Sequence, residues 1–409
     1  MYGLIGEKLS HSFSKEIHQN LFGYEYNLIE VAREKLDEFM TNRNFKAVNV
    51  TIPYKQEVIK HLYFIDELAQ KIGAVNTVVN CQGKLYGYNT DAFGLLENLK
   101  ANEIDVKDKT VLILGSGGTS LTAKAVCESL NAKEIYRTSR EKKDGCVNLN
   151  DVDFNEIEVI INTTPVGMYP NVNDTPVDLD NFQKLEAVVD AVYNPINTLL
   201  VTKAREKNLK YAGGLYMLVC QAVKAGEYFT GKKVSEEKAV EIYKKILKEK
   251  QNIVLIGMPS SGKSTFGKIL SKDLNRPLFD TDEMIAQKAG KPIPEIFSQS
   301  GEKAFRDLET EVIFALSKEQ GKIISTGGGA VLRKENVEAL KQNGFLVFID
   351  RPLENLTPTC DRPLSSDLDA LRKRFEERYP IYNKVCDSKI KNEGDVNEVA
   401  TLIKEAFLK

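Results

Sequence analysis

The sequence predicts an α/β protein with more than one parallel-sheet domain. Three observations carry this. The stretch NIVLIGMPSSGKST at 252–265 sets a short β-branched run, a glycine loop and a helical pattern in that order. The stretch 110–130 repeats the order, with TVLIL, a Gly-Ser-Gly-Gly-Thr turn and a second helical pattern. Elsewhere short apolar runs alternate with helical segments, as in strands joined by crossover helices. A length of 409 residues suits two or three domains.

Composition narrows the function classes. Apolar residues make up 42% and charged residues 28%, ordinary for a globular chain. A net charge of −2 gives no general attraction to nucleic acid or anionic membrane. Six cysteines, at 81, 127, 146, 220, 360 and 386, form no C-x-x-C pair, which argues against a zinc site or disulfide framework and fits a reducing cytoplasm. The three histidines do not suggest a His-rich metal centre. The N-terminal residues lack the apolar core of a signal peptide, and no run approaches the ~20 apolar residues of a membrane span. The expectation is a cytoplasmic protein acting on small molecules, with oligomeric state left open.

Residues 2–5 read as a strand broken by Gly6. The next loop brings Ser12 and Ser14 before a helix at 15–21. Such hydroxyls suit a polyol or carboxylate ligand, or equally a helix cap. AVNVTI at 47–52 is a strand ended by Pro53, and Lys55 stands at the start of a helical segment reaching Leu62. A lone lysine is ordinarily solvated. AVNTVV at 74–79 is a strand containing Asn76. After a Gln82-Gly83 turn, LYGYNTD leads into a helix at 92–101, with Asp91 as a cap candidate. These strand ends deliver polar groups where open α/β sheets bind ligands.

The loop Gly115, Ser116, Gly117, Gly118 and Thr119 precedes a helix at 121–130. A strict G-x-G-x-x-G fails, because Ser120 stands where a third Gly or Ala is expected. The following strand ends in Arg137, Thr138, Ser139 and Arg140. An NAD-binding unit has an acidic residue near this distance. Two arginines suit a 2′-phosphate instead, so NADP(H) is expected; a basic surface turn is the alternative. Strands at 159–162 and 187–192 follow, the second ending at Tyr193. Gly213-Gly214 opens a helix carrying Gln221, and the helix at 235–250 shows one apolar stripe, a packing signature.

In the second half, the loop from Gly257 through Ser260, Ser261 and Gly262 to Ser264 and Thr265 fits a phosphate-binding loop. Its backbone N–H groups and the helix N-terminus would hold ATP phosphates. Lys263 would reach the β- and γ-phosphates and Ser264 would ligate Mg²⁺. A chance match in a glycine turn is the alternative. Only residues 250–252 remain as a linker. Asp280 and Asp282 end the next strand; one can hold Mg²⁺ through water while the other faces a substrate hydroxyl, or they cap the helix beginning at 283. Three glycines at 327–329 allow close backbone approach. Residues 372–380 read as helix.

Several pieces then point to families. HSFS, NVTIPYK, GAVNTV, GYNTDAFG and NTTPVGM occur in the order found in shikimate dehydrogenases, which residues 1–250 resemble. The resemblance implies a two-lobe fold, with a substrate lobe at 1–101 completed by the helix at 235–250, and a Rossmann-like NADP lobe at 102–234. It implies that Ser12, Ser14, Thr51, Asn76, Asp91, Tyr193 and Gln221 surround shikimate, with Lys55 and Asp91 as the catalytic pair and Ala191 and Gly214 on the nicotinamide side. Reduction of a ketone creates an alkoxide, and an ammonium beside a carboxylate can supply its proton. Lys15 departs from the family pattern, which has proline there. The pieces GMPSSGKST, FDTDEMI, GEKAFRDLE, STGGGAVL, DRPL and ERYPIY resemble shikimate kinase, a P-loop α/β fold with a parallel sheet, over 252–409. That resemblance implies that Asp282, Arg306, Gly328 and Arg378 bind shikimate, with the two arginines on its carboxylate, Asp282 orienting the attacking hydroxyl, and Arg362 on a lid over ATP. Together they imply one chain that reduces 3-dehydroshikimate with NADPH and phosphorylates the product with ATP and Mg²⁺. A quinate-preferring dehydrogenase joined to another small-molecule kinase, and a non-catalytic sensor, are the alternatives; the latter should have lost Lys55, Asp91, Lys263 or the Asp280/Asp282 pair.

Overall fold

The structure, a computed structural model, describes residues 1–9, 12–357 and 368–409. The chain divides into two units, Met1–Ile246 and Leu247–Lys409.

The first unit holds two sheets. Its N-terminal part runs β1 (Tyr2–Gly6), α1 (Ser14–Phe22), β2 (Tyr26–Glu30), α2 (Leu36–Asn42), β3 (Ala47–Val50), β4 (Phe64–Ile65), α3 (Glu67–Ile72), β5 (Thr77–Cys81), β6 (Lys84–Tyr88) and α4 (Asp91–Ala101). The strands order as β2-β1-β3-β5-β6-β4. The Gln82-Gly83 turn makes β5 and β6 a hairpin, and β5 also runs antiparallel to β3. Ile5, Val48, Val50, Val78 and Leu85 meet in one core.

The second part runs β7 (Thr110–Leu114), α5 (Gly118–Ser129), β8 (Glu134–Thr138), β9 (Val159–Asn162), β10 (Ala187–Asp190), α6 (Leu199–Glu206), β11 (Lys210–Ala212) and α7 (Gly214–Thr230), followed by α8 (Glu236–Lys250). The sheet is parallel in the order β11-β10-β9-β7-β8. The chain leaves β7 toward β8 and then crosses to β9 on the other side. That reversal opens a crevice above the carboxyl end of β7, where the glycine loop lies. Gly94 on α4 leaves no room for a methyl, which would sit 2.5 Å from the Met217 carbonyl oxygen on α7. The helices bearing Asp91 and Gln221 are thus in backbone contact. Ala239, Ile242 and Ile246 form the buried stripe of α8. The break between units falls within that helix, and Gln251 alone separates it from the next strand.

The second unit runs β12 (Asn252–Ile256), α9 (Lys263–Leu274), β13 (Leu278–Asp280), α10 (Thr281–Ala289), α11 (Ile293–Leu316), β14 (Ile323–Ser325), α12 (Lys334–Asn343), β15 (Gly344–Asp350), α13 (Leu368–Val385), β16 (Ser388–Lys391) and α14 (Val396–Leu408). Its parallel sheet orders as β13-β14-β12-β15-β16. Every residue of β12 is buried, as its apolar run requires for a central strand.

Two local expectations differ. Lys55 does not start a helix: residues 52–56 are turn, and a short 3₁₀ segment covers Glu57–His61. The Lys55 carbonyl instead accepts a bond from Val75 N at 2.8 Å, so it is unavailable to a helical ladder. The helix read at 372–380 extends over Leu368–Val385 and contains Pro380. Helix α11 is interrupted at Gly301, whose φ of 79° suits glycine. No helix among the described residues is long and apolar enough to cross a membrane.

Candidate active sites

In the first unit the Lys55 ammonium donates to Asp91 Oδ2 at 2.5 Å and to Thr119 Oγ1 at 3.2 Å. The pair is largely enclosed, with side-chain exposures of 12% and 10%. Asp91 is the first residue of α4, not its cap. The cap contact comes from Asn89, whose Oδ1 accepts from Ala92 N at 3.2 Å. Asp91 is thereby left to Lys55 and to Asn76, whose Nδ2 donates to Asp91 Oδ1 at 2.8 Å. Asn76 is pinned in turn, its Oδ1 accepting from Thr90 N at 2.7 Å. Behind it lies Asn49 of β3, which donates to Thr77 Oγ1 and accepts from Tyr26 Oη at 2.7 Å. Sequence reasoning missed Asn49. The alternation of β3 was the available signal, since Asn49 and Thr51 stand two residues apart on one face.

The other expected ligand-binding groups divide. Ser12 Oγ accepts from Ser14 N at 3.3 Å and also bonds Tyr193, while the cap position of α1 is Phe13, so neither serine is the helix cap offered as an alternative. Ser14 is buried at the start of α1, while Lys15 is exposed at the second position, where a non-proline residue is harmless. Gln221 is buried and its amide donates to Leu218 O at 2.9 Å. Thr51 is half-buried just beyond β3.

The glycine loop at 115–119 abuts Lys55. A methyl on Gly118 would lie 3.1 Å from Lys55 Cβ. Ser120, the departure from the glycine pattern, is fully buried and donates to Gly117 O at 2.7 Å. The hydroxyl closes the turn that a third small residue would leave open. Ser116 accepts from Ser139 Oγ, and its carbonyl from Lys143 at 2.8 Å. Thr138 is buried, with Gly115 N donating to its hydroxyl at 3.4 Å. Arg140 is exposed, whereas Arg137 is buried and its Nε has no hydrogen-bond partner among the described residues. A buried guanidinium N–H of that kind fits an anionic group such as a 2′-phosphate. Gly214 packs on Ala191, whose carbonyl oxygen lies 2.3 Å from where a Cβ would stand.

Beneath Ala191, Asp190 is fully buried and accepts from Asn162 Nδ2 (3.0 Å), Val192 N (3.0 Å) and Thr198 Oγ1 (2.6 Å). Burial pushes its carboxyl up to about 7 against those three bonds. Unfolded, the group titrates near 3.9. Between about 4 and 7 only the folded state holds the proton, so this contribution is full below that window and is lost as pH rises through it. Asp190→Asn should remove the contribution. Urea unfolding of the full chain, read at the transition that NADPH shifts, should show wild-type stability relative to the variant falling from about pH 4 to 7 and level above.

In the second unit, Gly257 (φ 146°), Ser260 (φ 63°) and Gly262 (φ 97°) shape the loop between β12 and α9. Lys263 is buried, donating to the carbonyls of Gly257 and Met258 at 2.9 and 2.8 Å. Ser261 is fully buried, Thr265 is exposed, and Ser260 Oγ donates to Thr357 O. Ser264 Oγ donates to Asp280 Oδ2 at 2.9 Å and lies 3.4 Å from Ser325 Oγ. Hard oxygens converging there fit Mg²⁺. Asp280 also caps α10, its Oδ1 accepting from Asp282 N at 3.0 Å. The capping and metal-facing readings therefore use different oxygens of one carboxylate.

Arg306 and Arg378 are both buried. Arg306 donates to Glu309 Oε2 at 2.7 Å and reaches Glu302 at 3.3 Å. Burial raises the Glu309 carboxyl and Arg306 opposes the rise. Arg378 Nε has no partner among the described residues, which suits a carboxylate ligand. The glycine turn joins these groups. A Cβ on Gly327 would lie 2.6 Å from Asp282 Oδ1, one on Gly328 2.8 Å from Pro259 Cδ, and one on Gly329 against the Arg306 guanidinium. Glu309 and Tyr382, which bonds Gly328 O, were not assigned roles from sequence. Arg362 lies outside the described residues.

Comparison with known proteins matches both units. Residues 4–78 match the family model for the shikimate dehydrogenase substrate binding domain, and residues 259–407 match the model for shikimate kinase. A shikimate dehydrogenase (NADP(+)) of Clostridium beijerinckii is 44% identical over 246 residues, covering 55% of this chain and 90% of that protein. One from Methanosphaera stadtmanae is 34% identical over 263 residues, covering 58% and 93%. Among solved structures, shikimate dehydrogenase 1 of Peptoclostridium difficile aligns with a TM-score of 0.57 and 36% identity, over 60% of this chain and 97% of that one. The Thermus thermophilus shikimate 5-dehydrogenase in complex with NADP(H) and shikimate aligns at 0.54 and 30%, over 60% and 98%.

Proposed function

The chain belongs to the shikimate dehydrogenase family and carries a shikimate kinase domain after it, and from this we propose that it performs two successive steps. The first reduces 3-dehydroshikimate to shikimate, and the second phosphorylates shikimate to shikimate 3-phosphate. The observation that carries the reading is the pairing, in one chain, of an enclosed lysine–carboxylate couple against a dinucleotide loop with a phosphate loop packed on a glycine turn beside buried arginines.

Bound NADPH would supply the hydride and bound Mg-ATP the phosphoryl group. The protein's residues supply position and charge. Lys55 donates the proton to the developing alkoxide, and Asp91, held by Asn76, aims the ammonium. Ser12, Ser14, Thr51, Asn76, Tyr193 and Gln221 hold the ring's hydroxyls and carboxylate. Arg137 holds the 2′-phosphate, with Arg140 at the exposed rim. In the second unit Arg306 and Arg378 grip the ring carboxylate and Asp282 orients the attacking hydroxyl. Lys263 offsets phosphate charge, and Ser264 and Asp280 hold Mg²⁺. Phosphoryl transfer needs mostly alignment and charge neutralisation, so no strong general base is required.

The test is a coupled assay of the full chain with 3-dehydroshikimate, NADPH and Mg-ATP. NADPH oxidation should precede ADP formation, and ADP formation should require the keto acid or shikimate. A purified chain that turns over neither compound would sink the reading. Arg137→Ala should raise KM for NADPH by about ten- to a hundredfold, the loss of hydrogen bonds to a charged group, and leave KM for NADH unchanged. Steady-state kinetics with both nucleotides checks this.

A further inference from the structure

Tyr382 is fully buried on α13, one helical turn beyond Arg378. Its hydroxyl donates to the Gly328 carbonyl oxygen, across 54 residues of sequence. It also bonds the Arg378 side chain, and since a guanidinium can only donate, the phenol oxygen is the acceptor there. The ring stacks on Phe348 of β15, with centroids 5.0 Å apart and an interplanar angle of 24°. Gly328 in turn lies so close to Pro259 of the phosphate loop that a Cβ would stand 2.8 Å from Pro259 Cδ. One hydroxyl therefore connects an arginine of the acceptor side to a backbone segment resting on the donor-side loop.

We propose that Tyr382 is a positioning residue for phosphoryl transfer, its hydroxyl fixing the Arg378 guanidinium and the Gly328 turn relative to the phosphate loop. The inference deepens the kinase reading and rests on it. Burial holds the phenol up at about 12, so the hydroxyl keeps its proton and stays a donor to Gly328 across the working pH range. Without it, the Gly328 carbonyl loses a buried partner and Arg378 loses an anchor. The ring acid would then meet a looser site, while the nucleotide, held by Lys263 and the loop backbone, would not.

The test is Tyr382→Phe in the full chain, which keeps the ring and its stack. KM for shikimate should rise about five- to tenfold, from the loss of the two buried hydrogen bonds that the hydroxyl makes with Gly328 O and Arg378. KM for Mg-ATP should stay within about twofold and 3-dehydroshikimate reduction should be unchanged. Phe348→Leu is the control: it disturbs the stack and spares the hydroxyl, so Tm should fall while KM for shikimate holds. The ratio of the two KM values comes from one preparation and does not depend on the folded fraction, so a poorly folding variant still reports. An unchanged KM for shikimate, a parallel rise in both KM values, or an equal effect of Phe348→Leu would each overturn the proposal. Wild-type protein that fails to phosphorylate shikimate defeats the kinase reading instead, a separate outcome.

Discussion

Lys55→Ala should lower kcat for NADPH-dependent reduction by about two to four orders of magnitude, the usual worth of a positioned proton donor. The ammonium is the group touching both Asp91 and the Thr119 hydroxyl, and an alanine leaves neither partner a substitute. The change also strands an enclosed carboxylate. Removing one member of a buried pair costs about 3–5 kcal/mol in unfavourable cases, and Asp91 keeps its Asn76 contact as partial relief. Tm and NADPH binding should therefore be measured beside the rate. Phosphorylation of added shikimate should proceed at the wild-type rate, because no atom of that site comes from residue 55. Loss of both activities in a folded variant would show that the sites are not independent.

Lys263→Ala should have the mirror effect. Shikimate-dependent ADP formation should fall by about two to three orders of magnitude, as when a preorganised donor is removed from a developing charge. Reduction of the keto acid should be intact. In the structure the ammonium also ties the Gly257 and Met258 carbonyls of its own loop. Part of the loss should therefore appear as weaker nucleotide binding, and calorimetric titration with an ATP analogue separates that part from kcat. Retention of more than a tenth of the kinase rate would contradict the assignment.

Contiguous features were legible in the sequence. A buried strand, a glycine turn and a helix must be neighbours in chain and in space, so both glycine loops could be read directly. The Arg137 side chain was legible because its distance from the loop is set by one helix and one strand. Contacts closed by tertiary structure were not. The Asn49–Thr77–Asn76 lattice joins two strands whose antiparallel pairing no local pattern announces. Tyr382 meets Gly328 across 54 residues, and Asp190 looks like any strand-ending carboxylate until Asn162 of the neighbouring strand and Thr198 at the cap of α6 turn their side chains onto it. Lys55 shows the converse failure. Its local pattern favoured helix, and the backbone bond from Val75 decided otherwise.

The bond from Lys55 to Thr119 has a further consequence. The ammonium belongs to the N-terminal part of the first unit, with Asn76 and Asp91, and the hydroxyl to the first turn of α5, behind the glycine loop at 115–119. Any swing that parted these halves would strip the Lys55 ammonium of one of its two side-chain contacts and leave Asp91 as its sole anchor.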